Sequence, residues 1–430
     1  MPINKNKISP ARLASFQVLH RIEKDKAFSS ILLPKVEEKL SQKDRKLCHK
    51  ICLGVLRKRI FLDEIIKTLT QGKKTDLEIK IILRIGLYQL IFLDKVPSHA
   101  VVNESVNLAE VCGKTKAKGF VNAVLRSYSP EKIVLPQDTI KRLSITESHP
   151  QFLVERWINQ FGFDETVELL KANNEEAGLD FRFTARTSAT TKDLLCKRSA
   201  LSRDELLKLS DQGEIYFQDK ASQMVASLVE LNAGENFLDL CCAPGGKFTL
   251  VHYLLSEKLE HQKSKALFVG ADIFLRRLMT VRENCQKLGV ENYQLLACDA
   301  EKELPFKDES FDVILVDAPC SGTGTIRRNP EIRYFLKESD FVTLSEKQFK
   351  ILENASKILK KGGRLIYSTC SLETEENENV VNTFLQKHKD FSPVEPNLPQ
   401  NLTSYPFVRT FPHKDKTDGF FVAILKKHAS

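Results

Sequence analysis

A chain of 430 residues that is 42% hydrophobic and 28% charged is too long for one ordinary hydrophobic core and too apolar for a disordered polymer, so two or three domains are expected. No stretch has the length of a membrane span, since the most apolar, Ile79–Leu93, is short and carries Lys80 and Arg84; Met1–Ser9 lacks the apolar centre of a signal peptide. Ten cysteines at irregular spacing read as reduced thiols of a cytoplasmic enzyme rather than a disulfide framework.

The first third predicts helices. Arg12–Arg21, Leu47–Ile60, Leu77–Phe92 and Val101–Val111 carry apolar residues three and four apart, with Gly72, Pro97 and Gly113 as breakers between them. The net charge of +9 is concentrated here: Met1–Pro130 holds 25 basic and 12 acidic residues, against 40 basic and 44 acidic in the remainder. Such a surplus suits a polyanionic partner, although a solvated lysine-rich face has the same composition. Pro130, Pro136 and Pro150 then mark a linker, Gln151–Ala172 reads as one or two helices, and Asp180–Thr187 alternates in the manner of a strand.

From about Ile215 strands and helices alternate. Phe237–Leu240, Ala266–Gly270, Tyr293–Ala297, Phe311–Val316 and Arg364–Ser368 read as strands. Helices are expected over Phe248–Ser256, up to Leu288 and over Ser345–Lys360, the last stopped by Gly362-Gly363. Phe420–Lys426 closes the series as an antiparallel strand. The succession predicts a doubly wound, Rossmann-like α/β sheet with ligands at the carboxyl ends of its strands. The expected domains are 1–132, an all-α bundle; 133–214, a linker with a small α+β connecting subdomain; and 215–430, the α/β domain.

Two features of that last domain carry chemistry. Leu238–Lys247 (LDLCCAPGGK) joins the first strand to its helix; its glycines permit close approach of a ligand, and it is neither a Walker loop nor GxGxxG. A lone Gly-Gly is ordinarily a plain turn, and a lone strand-terminal Asp ordinarily a helix cap. Asp272 and Asp299 both end strands beside this loop, however, and a series of such acids suits a nucleoside, Asp272 accepting from ribose hydroxyls and Asp299 from an adenine amine. The second feature is a pair of cysteines after strands, Cys320 in Asp317-Ala318-Pro319-Cys320 and Cys370 in Ser368-Thr369-Cys370-Ser371. Neighbouring parallel strands would bring both thiols to one mouth, where a helix N-terminus, Arg327 or Arg328 would favour a thiolate. Cys48, Cys52, Cys112, Cys196, Cys285 and Cys298 read as small buried hydrophobes. Cys48-His49-x-x-Cys52 lacks a second ligand pair, so no metal is expected.

A thiolate beside a methyl donor has a defined use. Carbon 5 of cytosine is a poor nucleophile until sulfur adds at carbon 6 and turns it into an enamine carbon. An acid at ring N3 and the exocyclic amine, for which Asp317 is placed, stabilises the adduct, and the base must be unstacked to enter the pocket. On the residues alone either cysteine can be the nucleophile.

These strings together resemble the bacterial ribosomal RNA cytosine-C5 methyltransferases of the RsmB (Sun/Fmu) type, within the Nol1/Nop2/Sun family, over nearly the whole chain. The resemblance implies that the loop containing Cys241, Cys242, Ala243, Pro244, Gly245, Gly246 and Lys247 binds S-adenosylmethionine, together with Asp272, Asp299 and Asp317. It also implies that Cys370 is the nucleophile and that Cys320 assists product release. Asp44-Arg45, Gly54-Val55-Leu56-Arg57 and Phe120–Arg126 are similar to the RNA-binding helical domain of NusB, which marks the RsmB type. The implied activity is methylation of a cytosine in small-subunit (16S) ribosomal RNA by a monomeric enzyme that uses neither metal nor membrane. Transfer RNA or another RNA as substrate, and a non-catalytic RNA-binding or antitermination factor, are the alternatives. Cys242 and Phe248 stand where the family has Ala and Thr, which bears on cofactor packing. Asn329 and Tyr334 stand for His and Trp on the expected RNA side, and Arg276, Arg327 and Arg328 have no assigned role.

Overall fold

In the computed structural model the described residues are 8–192, 201–259, 266–396, 398, 403–404 and 406–429; Cys196, expected as a buried hydrophobe, lies outside them. Their contacts divide the chain into two units, Met1–Glu176 with Ile326–Leu336, and Ala177–Thr325 with Lys337–Ser430. The expected connecting region 133–214 is thus shared between the units.

The first unit is helical because its apolar positions recur at helical spacing. Its central helix, Leu77–Phe92, is apolar on nearly every side, and Ile81, Ile82, Leu83, Ile85 and Leu87 are all buried. A helix of that kind is stable only when surrounded. Pro10–Asp25, Gln42–Arg57, Arg59–Leu69, Ser98–Val111 and Lys118–Arg126 supply the surround through Leu19, Ile51, Leu62, Leu108 and Val121. Each such side chain contributes about 1.5–3 kcal/mol of burial. The helix expected over Leu47–Ile60 is broken at Lys58, whose backbone leaves helical geometry between Gln42–Arg57 and Arg59–Leu69. One buried charge is embedded here: Arg84 donates from Nε to Asp63 Oδ1 at 2.6 Å and from Nη2 to Asp63 Oδ2 at 2.7 Å, and it also pairs with Glu23.

The segment Ile326–Leu336 packs with this unit although it follows the Cys320 loop in sequence. Glu331 accepts from Ser29 N at 2.6 Å and Ser29 Oγ at 3.0 Å. Arg333 donates to Ser148 O (3.1 Å), Asn173 O (3.2 Å) and Asn174 Oδ1 (3.0 Å). Tyr334 Oη donates to Leu56 O at 2.6 Å under the guanidinium of Arg59. Tyr334, expected on the RNA side, is therefore a packing residue of the helical unit. Arg327 is buried in the same unit and its carbonyl accepts from Arg57.

The second unit holds an antiparallel pair, β1 (Phe181–Phe183) with β2 (Ile215–Phe217), and a larger sheet. The sheet comprises β3 (Phe237–Asp239), β4 (Phe268–Asp272), β5 (Gln294–Ala297), β6 (Phe311–Asp317), β7 (Leu359–Thr369), β8 (Phe391–Val394), β9 (Thr403–Ser404), β10 (Phe407–Arg409) and β11 (Phe421–Lys427). The order is β5-β4-β3-β6-β7-β11-β10-β9, with β8 also on β11. β3 to β7 are parallel, and β11 returns antiparallel to β7 as expected. Both faces are covered, so the middle of β6, 313–316, is an unbroken apolar run: Val313 and Leu315 join one core with Phe248 and Val281, Ile314 and Val316 the other with Leu352 and Phe384. Gly362-Gly363 does not end the preceding helix. The helix stops at Ile358 and β7 begins at Leu359, taking the glycine pair into an irregularity of its ladder with β6, where Gly362 has a φ of +76°.

Candidate active site

The order reverses between β3 and β6, and a crevice opens at the carboxyl ends there, as in any doubly wound sheet. It has a volume of about 280 Å³ and is lined by Leu240, Cys241, Ala243, Asp272, Asp299, Asp317, Cys320 and Cys370, among others. Five of the residues expected at the cofactor, Cys241, Ala243, Asp272, Asp299 and Asp317, thus share one wall system with both thiols. Cys242, Pro244, Gly245, Gly246 and Lys247 are not among the lining residues. Cys242 is turned into the core, and Gly245 takes a φ of +100° with Val281 packed 3.2 Å from where a Cβ would stand, a turn that starts the helix Gly246–Lys258 and that only glycine fits easily.

Lys247 reaches back from that helix to Asp317, Nζ donating to Oδ2 at 2.7 Å, and its ammonium lies 4.9 Å from the centre of the Phe420 ring. Burial opposes its charge, but Asp317 more than compensates and raises its pKa. Asp317 Oδ1 accepts from Ser368 Oγ at 2.8 Å. Each oxygen of Asp317 keeps a further lone pair for a ligand donor. Asp272 accepts from Phe274 N at 3.1 Å in the turn that leads to the helix Leu275–Leu288, and pairs with Arg277 Nη1 at 3.1 Å. Arg277 Nη2 also donates to Ala243 O at 2.9 Å, joining the loop after β3 to the end of β4. Arg276, singled out from the sequence, is exposed; Arg277 makes these contacts. Cys298, expected as a core hydrophobe, is half-buried and lines the crevice.

A charge count explains what this crevice can hold. Four acids line it, Asp272, Asp299, Glu301 and Asp317, against one lining cation, Arg277, so a cationic ligand suits it and a polyphosphate does not. Asp239 is fully buried, and burial followed by the charge of Asp317 pushes its carboxyl up to about 8. Among the described residues its Oδ1 has no hydrogen-bond partner. An orphaned buried acceptor beside a loop opened by Gly245 fits a nucleoside carrying ammonium and sulfonium charges, so the residues present fit S-adenosylmethionine.

At the other side of the crevice Cys320 Sγ and Cys370 Sγ lie 3.3 Å apart, because β6 and β7 are paired with Asp317 beside Ser368. The hydrogen bond to Cys370, and then burial, push the Cys320 thiol well above its ordinary range. Gly324 N donates to Cys370 O at 2.9 Å, and a Cβ on Gly324 would stand 2.0 Å from Gly419 O, so three backbone segments meet where no side chain fits.

Two contributors were not singled out from the sequence. Arg182 of β1 is buried and donates to Gln218 Oε1 (2.7 Å), Gly246 O (3.2 Å) and Thr249 Oγ1 (2.7 Å), fixing the first turn of the helix Gly246–Lys258. Glu376, fully buried, accepts from Ser321 N, Gln348 Nε2 and Ser371 Oγ. A tertiary partner in each case lies far along the chain, and no local spacing signals it.

A parallel sheet with this order, an acid-lined crevice at its switch point and a glycine turn after the first strand define a doubly wound methyltransferase, here with a helical bundle in front. Residues 226–426 match the family described as 16S rRNA methyltransferase RsmB/F, and residues 9–130 match the NusB family. The chain is 32% identical, over 98% of its own length and 99% of the relative's, to "Probable ribosomal RNA small subunit methyltransferase B" of Bacillus subtilis. It is 31% identical to ribosomal RNA small subunit methyltransferase B of Yersinia pestis, over 98% and 100%. The fold is that of the crystal structure of PH0851, with a TM-score of 0.83 at 24% identity over 98% of this chain and 99% of that one. NSun6 from Pyrococcus horikoshii, crystallised with SFG, shares the fold over 66% of this chain and 99% of its own, with a TM-score of 0.56 at 22% identity. The chain belongs to the RsmB/F family of 16S rRNA methyltransferases.

Proposed function

We propose that the protein methylates carbon 5 of a cytosine in small-subunit ribosomal RNA through a covalent Cys370–C6 adduct. S-adenosylmethionine supplies an electrophilic methyl group. The observation that carries the reading is the pair of thiols 3.3 Å apart in the acid-lined crevice. A methyltransferase acting on an already nucleophilic atom needs no thiol; one acting on a pyrimidine carbon needs a nucleophile to add and a second group to take a proton.

In this scheme Cys370 loses its proton and its sulfur bonds to carbon 6, the C5–C6 double bond supplying the electron pair that takes the methyl group. Asp317, held by Lys247 and Ser368, accepts from the exocyclic amine and orients the base, and the Lys247 ammonium beside it offsets the negative charge that sulfur addition displaces onto the ring. Cys320 keeps its own proton, since its thiol is pushed up, and so can donate a hydrogen bond to the Cys370 sulfur. After methyl transfer Cys320 passes its proton to solvent; its thiolate, strongly basic because its pKa is raised, takes the C5 proton, the C–H electron pair re-forms the C5–C6 double bond, and the C6–S bond breaks with Cys370 leaving as thiolate. The helical unit, with its basic surplus, binds the RNA backbone.

The test is methyl transfer from labelled S-adenosylmethionine to 16S ribosomal RNA, with bisulfite mapping of the product. Cys370→Ala should abolish transfer and covalent capture of RNA, and Cys320→Ala should accumulate the protein–RNA adduct. Adduct with Cys370→Ala and none with Cys320→Ala would reverse the two roles. Transfer to another RNA alone would change the substrate and leave the chemistry.

A further inference from the structure

Beneath the two thiols lies a buried polar cluster that touches neither ring of a base nor a cofactor. Its centre is Glu376, on the short turn after β7, with no exposed surface. Glu376 Oε2 accepts from Ser321 N at 2.8 Å and from Gln348 Nε2 at 3.0 Å; Oε1 accepts from Ser371 Oγ at 2.7 Å. Ser321 follows Cys320 directly, and Ser371 follows Cys370 directly. One carboxylate therefore bonds both residues that succeed the thiols. The two serines also meet each other, Oγ to Oγ at 3.0 Å. Gln348, fully buried on the helix Glu338–Ile358, gives its amide nitrogen to Pro319 O at 2.9 Å as well, and so holds the residue before Cys320. Asn377 completes the lattice, accepting from Thr369 Oγ1 at 2.6 Å and donating to Ser371 O at 2.9 Å on either side of Cys370.

The chemistry of this cluster is unusual for a merely structural one. Its named partners give a buried carboxylate three neutral donors and no cation, and burial raises its pKa. A buried acid of this kind costs stability that an apolar residue of similar volume would not. What it provides is geometry: two loops from neighbouring strand ends, which also meet through Gly324 N and Cys370 O and through the two serines, are tied by one carboxylate at the residues next to the thiols. Sulfur atoms at 3.3 Å are close to contact, and that separation sits directly above the tie.

We propose that Glu376 is a positioning residue that, through Ser321, Ser371 and Gln348, fixes the spacing between Cys320 and Cys370. The inference rests on both thiols taking part in the reaction. Glu376 touches no reacting atom. Its negative charge also acts on Cys320, helping to keep that thiol protonated, so position and charge are separable by two variants. Glu376→Gln keeps the shape and can still bond all three partners; Glu376→Ala removes the tie.

The test reads the spacing without RNA or cofactor. The azo oxidant diamide takes two electrons and two protons from a pair of nearby thiols, becoming the hydrazine as the S–S bond forms. The protein retains Cys320 and Cys370, and the crosslinked peptide is quantified by mass spectrometry. Glu376→Ala should slow Cys320–Cys370 disulfide formation by at least about tenfold and lower kcat by roughly a hundredfold, as displacements near 1 Å do, with the KM for S-adenosylmethionine unchanged. Glu376→Gln should restore most of the crosslinking rate while shifting Cys320 alkylation to lower pH. A folded Glu376→Ala protein with the parent's crosslinking rate and kcat overturns the proposal. Should Glu376→Ala not fold, Ser371→Ala, which deletes a single hydroxyl of the tie, takes its place: slower crosslinking supports the proposal and an unchanged rate overturns it. Slower crosslinking in the variants together with no methyl transfer by the unaltered protein would remove the proposed function and leave the positioning role standing.

Discussion

The Arg84 cluster of the helical unit and three buried groups of the methyltransferase unit hold charge in different ways. In the helical unit Arg84 is enclosed with two carboxylates, Asp63 and Glu23, although buried Arg333 of the same unit bonds carbonyls and an amide and, among the described residues, leaves Nε without a partner. In the methyltransferase unit Asp239 keeps an orphaned oxygen, Glu376 bonds only neutral donors, and the acceptors of buried Arg182 are an amide, two carbonyls and a hydroxyl, none of them a carboxylate. The Arg84 cluster holds helices in register, whereas Asp239, Glu376 and Arg182 surround the crevice, and perturbed buried groups concentrate at functional sites. The location of these three teaches more than their number: they lie at the end of β3, just after β7, and against the first turn of the helix Gly246–Lys258.

The contrast is sharpest at Arg84. Replacing it by methionine leaves Asp63 and Glu23 facing each other without their cation, and should destabilise the protein by about 3–5 kcal/mol. Denaturant unfolding followed by a probe in the helical unit would measure this. A loss below 1 kcal/mol would mean that Lys80 and Arg59, which also approach these acids, suffice, and that the pairing is not what holds this unit.

Arg182→Met is the matching experiment in the other unit. It strands the acceptors on Gly246 and Gln218, at about 1–3 kcal/mol, but no carboxylate. Because Gly246 O and Thr249 Oγ1 lie in the first turn after the cofactor loop, the variant should show a raised KM for S-adenosylmethionine with little change in kcat. A fall in kcat at constant KM would place the effect at the thiols instead and break the assignment of Arg182 to the loop.

Much of this site could be read along the chain, and what could not has a common cause. Strand-terminal acids and cysteines announce themselves because the side chain follows an apolar run by one or two residues, as at Asp272 and Cys370, and the period of the run fixes which end faces the crevice. The membership of Ile326–Leu336 in the helical unit has no such signature. The segment continues directly from the Cys320 loop, and only Ser29, Leu56, Ser148 and Asn173, far away in sequence, reveal its packing. Glu376 and Arg182 look like ordinary surface charges until their partners are known. Gly362-Gly363 misled for a different reason: glycine ends helices by adopting positive φ, and Gly362 does so, but within an irregular strand.

The smallest effect bears most directly on the comparison, because it asks whether an uncompensated acid is electrostatically idle. The carboxyl of Asp239 is pushed from 3.8 up to about 8, first by burial and then by Asp317, with Asp272 adding to the rise and Lys247 opposing it. Below pH 3.8 folded and unfolded chains are both protonated at this position, and it contributes no slope. Between 3.8 and about 8 the folded chain holds a proton that the unfolded chain has lost, so the site's contribution to stability falls as pH rises, at about 1.4 kcal/mol per unit. Asp239→Asn cannot ionise and removes that slope. The variant should therefore gain on the parent by about 1 kcal/mol between pH 7 and pH 8, seen as Tm curves that diverge up to about pH 8 and become parallel roughly one unit beyond it. Curves parallel throughout would show that Asp239 is already ionised and balanced by Lys247, in which case its charge is compensated much as that of Arg84 is.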